Sequence, residues 1–294
     1  MIKAMVENEI LEKGFIPLSK YWSLRLGFLD IINETGLFIP QIENRDDLGD
    51  DAKKMIVISK EWRIKNEHNV GEGGALFRYL QFASWKYHLG KKFVKEGTLK
   101  DRKMCDNPEI VNWSIKKLLE LDNNTPQWAS VAILLGNKEE IPDNYFLNLS
   151  KEALEEYNFA RKEGRLCKLR YDETLLLQAR AFIGALESGK VEYTPKQQDE
   201  YCFARVFGLI DREEGERRWP ELRGHESNRL EEMEKMIGKY ERGEEIDSRD
   251  HRVAQALKMR AFYDKKEIKF LFPRCVSKSW PQFWKFMKWA EESY

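Results

Sequence analysis

The chain has few cysteines and histidines, and neither type is clustered. The four cysteines are Cys105, Cys167, Cys202 and Cys275, and the four histidines are His68, His88, His225 and His251. No two cysteines form a Cys-x-x-Cys pair, and the histidines lack the spacing of metal ligands. We therefore expect neither a disulfide scaffold nor a metal site.

A net charge and a long hydrophobic run are also absent. The sequence contains 50 Lys and Arg residues and 50 Asp and Glu residues, so no overall field attracts nucleic acid or an anionic membrane. No segment approaches the roughly 18 uninterrupted apolar residues of a membrane helix. The first residues show no apolar core or small-residue cleavage site of a signal peptide. We expect a cytoplasmic protein that binds neither nucleic acid nor membrane.

The remaining pattern mixes helical and strand periodicities, which predicts an α/β fold. Helices are predicted over residues 19–36, 108–121, 150–163, 172–188, 199–210 and 226–241. Short runs rich in β-branched or aromatic residues predict strands at 55–58, 190–193 and 267–272.

Two segments near the end of the chain place cations at the start of a predicted helix. Asp250 is a capping residue, so His251 and Arg252 would lie in the first turn. Lys278 precedes a second helix, with Ser279 as the predicted cap and Pro281 in the first turn. Because helix N-termini attract anions, the pair predicts an anion pocket. Two capped surface helices with solvated charges would give the same pattern.

These segments resemble the enolpyruvyl transferase family, and within it most closely the 5-enolpyruvylshikimate-3-phosphate synthases. Further matching segments follow the family's order. The matching residues are Ser19-Lys20 with Arg25, the glycine-rich loop from Gly71 to Arg78, Arg102, Asn124-Thr125-Pro126-Gln127, Asp199, the segment from Arg223 to Arg229, Asp250-His251-Arg252, and Cys275 to Pro281. The ordered set is more specific than any one motif, because a short motif alone recurs by chance.

The resemblance implies a two-domain fold built from βαβαββ units, with at least one unit lost or collapsed because the chain is short. One domain would comprise residues 18–168, and the other residues 1–17 plus 169–294. The active site would lie in the cleft between them.

The resemblance also implies an activity: transfer of the enolpyruvyl group of phosphoenolpyruvate to a hydroxyl of shikimate 3-phosphate, with release of phosphate. This reaction serves the synthesis of aromatic amino-acid precursors and requires no cofactor. We expect a monomer whose partners are phosphoenolpyruvate and a hydroxylated, phosphorylated acceptor.

Site residues carry over one by one from the resemblance. The catalytic residues would be Lys20, Asp199 and Glu226. The residues that bind phosphoenolpyruvate would be Lys20, Gly74, Arg102, Gln127, Arg229, His251, Arg252 and Lys278. Those that bind the acceptor would be Tyr21, Arg25, Thr125, Gln127, Ser150, Asp199 and His225.

Their chemical roles follow from the same resemblance. Glu226 would deliver a proton to C3 of phosphoenolpyruvate, and Lys20 could share this task. Asp199 would orient or deprotonate the acceptor hydroxyl. Without a bound anion, Arg102, Arg229, Arg252 and Lys278 are expected to repel one another.

The acceptor positions depart from the family pattern. Tyr21 and Pro126 replace serines, and His225 replaces a lysine. An enolpyruvyl transferase with another hydroxylated acceptor is therefore a second hypothesis, and a non-catalytic ligand-binding relative is a third. Residues 95–101 contain no cysteine, which disfavours the related UDP-N-acetylglucosamine enolpyruvyl transferase.

Overall fold

The computed structural model describes residues 2–122, 124–224 and 228–294. The chain forms two compact units. The 18–170 unit is Leu18–Arg170, and the 171–294 unit combines Tyr171–Tyr294 with the chain up to Pro17. Most described residues are helical and one small sheet is parallel, so the fold is broadly α/β. Within these residues, no helix combines the length and the apolar character needed to cross a membrane.

The described α-helices follow one another along both units. In chain order they are α1 (Ile2–Glu12), α2 (Lys20–Asn33), α3 (Ile39–Ile42), α4 (Asp50–Glu61), α5 (Gly74–Lys86), α6 (Ile115–Leu118), α7 (Gln127–Leu134), α8 (Tyr145–Glu163), α9 (Glu173–Ser188), α10 (Tyr201–Val206), α11 (Arg212–Arg218), α12 (Arg229–Glu241), α13 (His251–Tyr263) and α14 (Phe283–Ser293). Short 3-10 helices cover Gly97–Leu99, Pro108–Asn112, Gln198–Glu200, Pro220–Gly224 and Pro273–Lys278.

The sheet of the 18–170 unit pairs β1 (Glu67–Gly71) with β2 (Lys92–Lys95) in parallel. Helix α5 connects the two strands, as a parallel crossover requires. Strand β1 ends at Gly71, whose φ of 61° suits glycine. The two residues that follow lead directly into α5. This turn therefore presents the start of α5 at the end of a strand.

Each unit has its own hydrophobic core. The core of the 18–170 unit includes the fully buried Trp22, Tyr79 and Trp128. The 171–294 unit has two clusters of buried apolar side chains, one of which contains Trp280 and the other Leu257. Burial of such side chains is the main favourable contribution to folding.

The three predicted strands were wrong. Residues 55–58 lie inside α4, where Ala52, Met55 and Ile56 share the buried face with helical spacing. Residues 190–193 form no regular element, and residues 267–272 contain only a bridge from Phe270 to Ile246. The described chain provides no neighbouring strand to complete either segment, so β-propensity alone did not produce a sheet.

Several helices were predicted correctly, although their ends shifted. Helix α9 is confirmed, with Asp172 as its cap, and α2 begins after Ser19 as predicted. Helix α8 starts five residues earlier than predicted because Asn144 caps it. The predicted helix over 108–121 is broken into a 3-10 turn and α6, since Trp113 is extended and Ser114 caps the new helix. Residues 199–210 contain only part of a 3-10 turn and α10.

Candidate functional site

The first helical turn of α5 is a potential anion site in the 18–170 unit. Gly73 occupies the cap position and has no side chain with which to cap this helix end. The N–H groups of the first residues, Gly74 and Ala75, have no partner within a helix, and both residues are half-buried rather than enclosed. A helix N-terminus also carries partial positive charge. The end of α5 can therefore accept a phosphate or carboxylate.

Arg78 links this turn to α7 from within the core. Its Nη1 donates to the Gln127 side-chain oxygen at 2.6 Å and to the Gly74 carbonyl at 3.3 Å. Its Nε donates to Asp122 at 2.7 Å, and the Trp128 indole N–H donates to the same carboxylate at 2.9 Å. Arg78 is buried. It holds Gln127 beside the start of α5.

Arg102 lies at the same helix end and is half-buried. A Cβ atom on Gly74 would lie 3.7 Å from Nη1 of Arg102. Burial lowers the pKa of Arg78, the Asp122 carboxylate opposes that change, and the nearby Arg102 charge lowers the pKa further. Arg102 Nη2 donates to Thr98 Oγ1 at 3.2 Å. The Arg78 and Arg102 guanidinium groups therefore lie close together. Asp122 neutralises Arg78, and a bound anion would offset the charge of Arg102.

Lys20 reaches this loop through Asp51. Its Nζ lies 2.6 Å from Asp51 Oδ2, and a Cβ atom on Gly73 would lie 2.7 Å from Asp51 Oδ1. A side chain larger than that of glycine at position 73 would therefore force this carboxylate to move. The structure thus brings Lys20, Gly74, Arg102 and Gln127 to one end of α5.

The predicted acceptor ligands Arg25 and Ser150 are bonded to each other inside the 18–170 unit. Arg25 Nε donates to Ser150 Oγ at 2.8 Å, and Ser150 donates to the Phe146 carbonyl at 2.9 Å. The other Arg25 nitrogens donate to the Tyr21 and Phe146 carbonyls, each at 2.9 Å, and to Ser130 Oγ at 3.3 Å. Both Arg25 and Ser150 are buried. Their main visible role is to join α2 to α8.

Two other predicted acceptor residues flank these groups. The Tyr21 ring packs edge-to-face on Phe146 with ring centroids 4.9 Å apart. Thr125 is half-buried and precedes Pro126, the cap residue of α7. Tyr21 and Thr125 are thus closer to the surface than Arg25 and Ser150.

A buried ion network forms the second group of predicted residues, in the 171–294 unit. Arg229 donates to Asp199 at 3.1 Å and to Asp250 at 2.9 Å, while Arg252 Nη2 donates to Asp199 at 3.1 Å. Asp250 also caps α13 by accepting from the Arg252 backbone N–H at 2.9 Å. All four side chains are buried. Buried charges require such pairing.

We expected Arg229 and Arg252 to repel one another in the absence of a bound anion, and the structure corrects this expectation. Arg229 and Arg252 are neutralised by Asp199 and Asp250, so no external anion is needed to offset their charges. A ligand anion at Arg252 would have to compete with Asp199. The network can hold its shape in the ligand-free protein.

His251 and Lys278 are placed by α13 and the 3-10 turn beside it. His251 is the buried first residue of α13. The Gln255 side-chain amide donates to the Val276 carbonyl at 3.2 Å and to Ser279 Oγ at 3.1 Å. These bonds fasten the turn that ends at Lys278 to α13.

The predicted cap at Ser279 was wrong. Its hydroxyl accepts from Gln255, and α14 begins only at Phe283, after Pro281. The side-chain oxygen is therefore used in tertiary packing rather than at a helix start.

Glu200 is a candidate acid–base residue that the sequence patterns missed. It follows Asp199 directly and is buried. Burial raises the pKa of the Glu200 carboxyl, the Lys196 backbone N–H opposes the change, and the charge of Asp199 raises the pKa further. The adjacent carboxylates at 199 and 200 were a signal that could have identified it.

Cys202 lies near the same charges but is unsuited to nucleophilic chemistry. Burial raises the pKa of its thiol well above the usual range, although Arg229 opposes the change. A thiolate is the reactive form, so Cys202 serves as a buried apolar residue.

His225 and Glu226 lie outside the described residues. The helix predicted over 226–241 begins at Arg229, after Asn228 with a φ of 47°.

Among residues 2–122, 124–224 and 228–294, no group of three or more His, Cys, Asp or Glu side chains could hold a metal ion. No family model, curated protein or solved structure matches the chain.

Proposed function

We propose that this protein transfers the enolpyruvyl group of phosphoenolpyruvate to a hydroxyl of shikimate 3-phosphate and releases phosphate. The observation that carries the proposal is the convergence of Lys20, Gly74, Arg102 and Gln127 at the start of α5. These residues come from separate segments, and the resemblance groups them as ligands of one small anion. We further propose that the two units are enolpyruvyl-transferase domains in which most strands of the βαβαββ units are lost or collapsed, since the described residues contain one two-stranded sheet.

The start of α5 suits phosphoenolpyruvate, which carries a phosphate and a carboxylate. Backbone N–H groups at Gly74 and Ala75 can donate to one anionic group. Arg102 supplies a guanidinium that can bind two oxygens of one group. Lys20 adds a second cation, which a ligand anion would share with Asp51. Both side chains remain partly exposed, unlike Arg78. We assign Arg78 to support and the other two to binding.

The proposed reaction needs only acid–base chemistry. The acceptor oxygen bonds to C2 of phosphoenolpyruvate as its own proton leaves, and another proton adds to C3. Loss of a C3 proton then restores the double bond while the bond from C2 to the phosphate oxygen breaks. Atoms and charge balance without any redox step.

We assign the proton transfers to Glu226, Lys20 and Asp199. Glu226 adds and later removes the C3 proton, and Lys20 can share that task. Asp199 takes the acceptor proton, and the hydrogen bonds from Arg229 and Arg252 orient its carboxylate. Glu200, with its raised pKa, is a second proton carrier in this region.

A different hydroxylated acceptor is a second candidate, and one observation favours it. Arg25 and Ser150 would have to hold the phosphorylated acceptor, yet their polar atoms are bonded within the buried core. Breaking such bonds without full replacement costs about 1–3 kcal/mol per buried group. Shikimate 3-phosphate should then bind weakly while phosphoenolpyruvate binds normally.

Calorimetric titration with phosphoenolpyruvate tests the α5 site. Arg102→Ala should weaken binding by about 2–3 kcal/mol, the scale of a lost charge-assisted contact. Lys103→Ala removes an exposed cation next in sequence and should leave the affinity unchanged within about twofold. Equal affinities for the wild type and Arg102→Ala would place the anion elsewhere.

A further inference from the structure

A cavity in the 171–294 unit lies apart from every predicted site residue. Its volume is about 830 Å³, within the roughly 300–1,000 Å³ range of pockets that hold small molecules. The end of α9, the end of α13, the loop after α13 and the end of α14 surround it. None of its lining residues belongs to the phosphoenolpyruvate or acceptor sets.

The cavity and the ion network occupy different ends of α13. Arg252 lies in the first turn, whereas Ala261 and Phe262 line the cavity near the last turn. With a rise of about 1.5 Å per residue, some 15 Å of helix separates Arg252 from Phe262. A ligand in the cavity would therefore bind at a second site, not at the network.

The lining combines an apolar floor with a basic rim. Leu186, Phe262 and Ile268 contribute half-buried apolar surface. Four lysines and two glutamates also line the cavity: Lys258, Lys265, Lys266, Lys269, Glu267 and Glu291. The Lys258 Nζ lies 3.1 Å from Glu291, so this pair is neutral. Glu187 hydrogen-bonds the side chain of Tyr294, which also lines the cavity. Lys265, Lys266 and Lys269 against Glu267 and Glu187 therefore leave the rim with a small excess of positive charge.

The helix end itself does not oppose an anion strongly. Carbonyl groups at a helix C-terminus are usually exposed and carry partial negative charge. Here the Arg260, Ala261 and Phe262 carbonyls accept backbone N–H groups from residues 264–266, at 2.9–3.0 Å. These bonds satisfy the last carbonyls of α13, and Lys265 and Lys266 in the loop that follows set full positive charges against the partial negative charge of the helix end.

We propose that this cavity binds a small amphipathic anion with an aromatic or other apolar body and one carboxylate or phosphate. The body packs over Leu186, Phe262 and Ile268, and the anionic group meets Lys265 and Lys269 at the rim. Inorganic anions should bind weakly because they lack an apolar surface, and neutral aromatic compounds should bind weakly because they lack the negative charge.

Three probes with the same phenylbutyl body test the proposal by calorimetry on the full chain. They are 4-phenylbutyrate, the neutral 4-phenylbutanol and the cationic 4-phenylbutylamine. We expect the carboxylate to bind at least fivefold more tightly than the alcohol, and the amine to bind most weakly. Added salt should weaken binding of the carboxylate but not of the alcohol, since only the former depends on charge.

Two variants locate the binding. Lys265→Glu combined with Lys269→Glu alters exposed side chains and should weaken carboxylate binding at least tenfold. The matched control, Lys235→Glu with Lys285→Glu, makes the same charge change at exposed positions outside the lining and should change binding less than twofold. Leu186→Gln should weaken all three probes because it removes apolar contact from the shared body.

Failure would be clear in each arm. The proposed site would be wrong if the wild type did not bind the carboxylate, or if the carboxylate and the alcohol bound with equal affinity. It would also be wrong if the Lys265 and Lys269 double variant kept the wild-type affinity for the carboxylate. Circular dichroism of each variant establishes that the fold is retained.

Discussion

Arg229 holds two buried carboxylates together in the 171–294 unit. Replacing it with Met would leave Asp199 and Asp250 in the interior without their shared guanidinium, and breaking a buried pair costs about 3–5 kcal/mol. The free energy of unfolding from urea titration should fall by that amount. Arg242→Met, which removes the exposed partner of Glu244, should leave it almost unchanged because water screens that pair. Wild-type stability for Arg229→Met would show that the network contributes little to folding.

His68 makes the 18–170 unit sensitive to acid. It is 1% exposed and stacks on Trp62 and Phe93. Burial lowers the pKa of His68, the Lys91 charge lowers it further and Glu61 opposes the change.

The direction of the pH effect follows from this lowered pKa. The unfolded chain takes up a proton at His68 near its ordinary pKa of about 6.5, before the folded chain does. Stability should therefore fall as the pH drops through 6.5 towards the folded-state pKa. His68→Gln should reduce this loss in unfolding titrations between pH 7 and 5, whereas the exposed control His88→Asn should not. Equal pH dependence in all three proteins would contradict the role of His68.

The sequence could identify individual cations better than their partners. Asp250 was predicted as a cap, and it is one, because capping depends on neighbouring residues. Asp51 and Asp122, which hold Lys20 and Arg78, were missed. They come from distant segments without a recognisable motif, so only the folded chain shows which acid meets which base.

Two glycines in helical settings should respond oppositely to alanine. Gly73 precedes α5, where a Cβ atom would lie 2.7 Å from Asp51 Oδ1 and 3.2 Å from the Val70 carbonyl. Gly184 lies inside α9 with no atom within 4 Å of such a Cβ. Gly184→Ala should stabilise the protein by about 0.5–1 kcal/mol through the better helix propensity of alanine. Gly73→Ala should instead destabilise it.

Thermal unfolding and phosphoenolpyruvate titration distinguish these two effects. Gly184→Ala should raise the midpoint of thermal unfolding and leave the affinity for phosphoenolpyruvate unchanged. Gly73→Ala should lower the midpoint and weaken the affinity. Tight binding by a stable Gly73→Ala protein would show that the contact with Asp51 does not shape the anion site.

Helices were predicted better than strands because their signals are local. Asp172 and Ser19 mark the starts of α9 and α2, and each caps a backbone N–H as such residues do. A strand needs a partner elsewhere in the chain. The β1 and β2 pair was missed because Glu67–Gly71 and Lys92–Lys95 are short and polar, while α5 brings them together.

For the whole molecule, the equal numbers of acidic and basic residues limit long-range attraction. With 50 of each, the chain as a whole offers no net charge for a phosphorylated ligand. Affinity for phosphoenolpyruvate must therefore come from local groups such as the start of α5, Lys20 and Arg102. The sequence suggested these residues through a resemblance, but Arg78 and the buried Arg25–Ser150 bond became visible only in the folded units.

Turnover of phosphoenolpyruvate is the most direct test of the proposed transfer. Phosphate release and enolpyruvyl product should be measured in the same reactions. The acceptor in these reactions should be shikimate 3-phosphate or one of a panel of other hydroxylated compounds. Equimolar amounts of both are expected with at least one acceptor. Glu226→Gln should lower the rate by roughly 10²–10⁴ because an amide cannot exchange the C3 proton. The exposed control Glu231→Gln should retain the wild-type rate. Binding of phosphoenolpyruvate without product from any acceptor would contradict transfer and favour a ligand-binding protein.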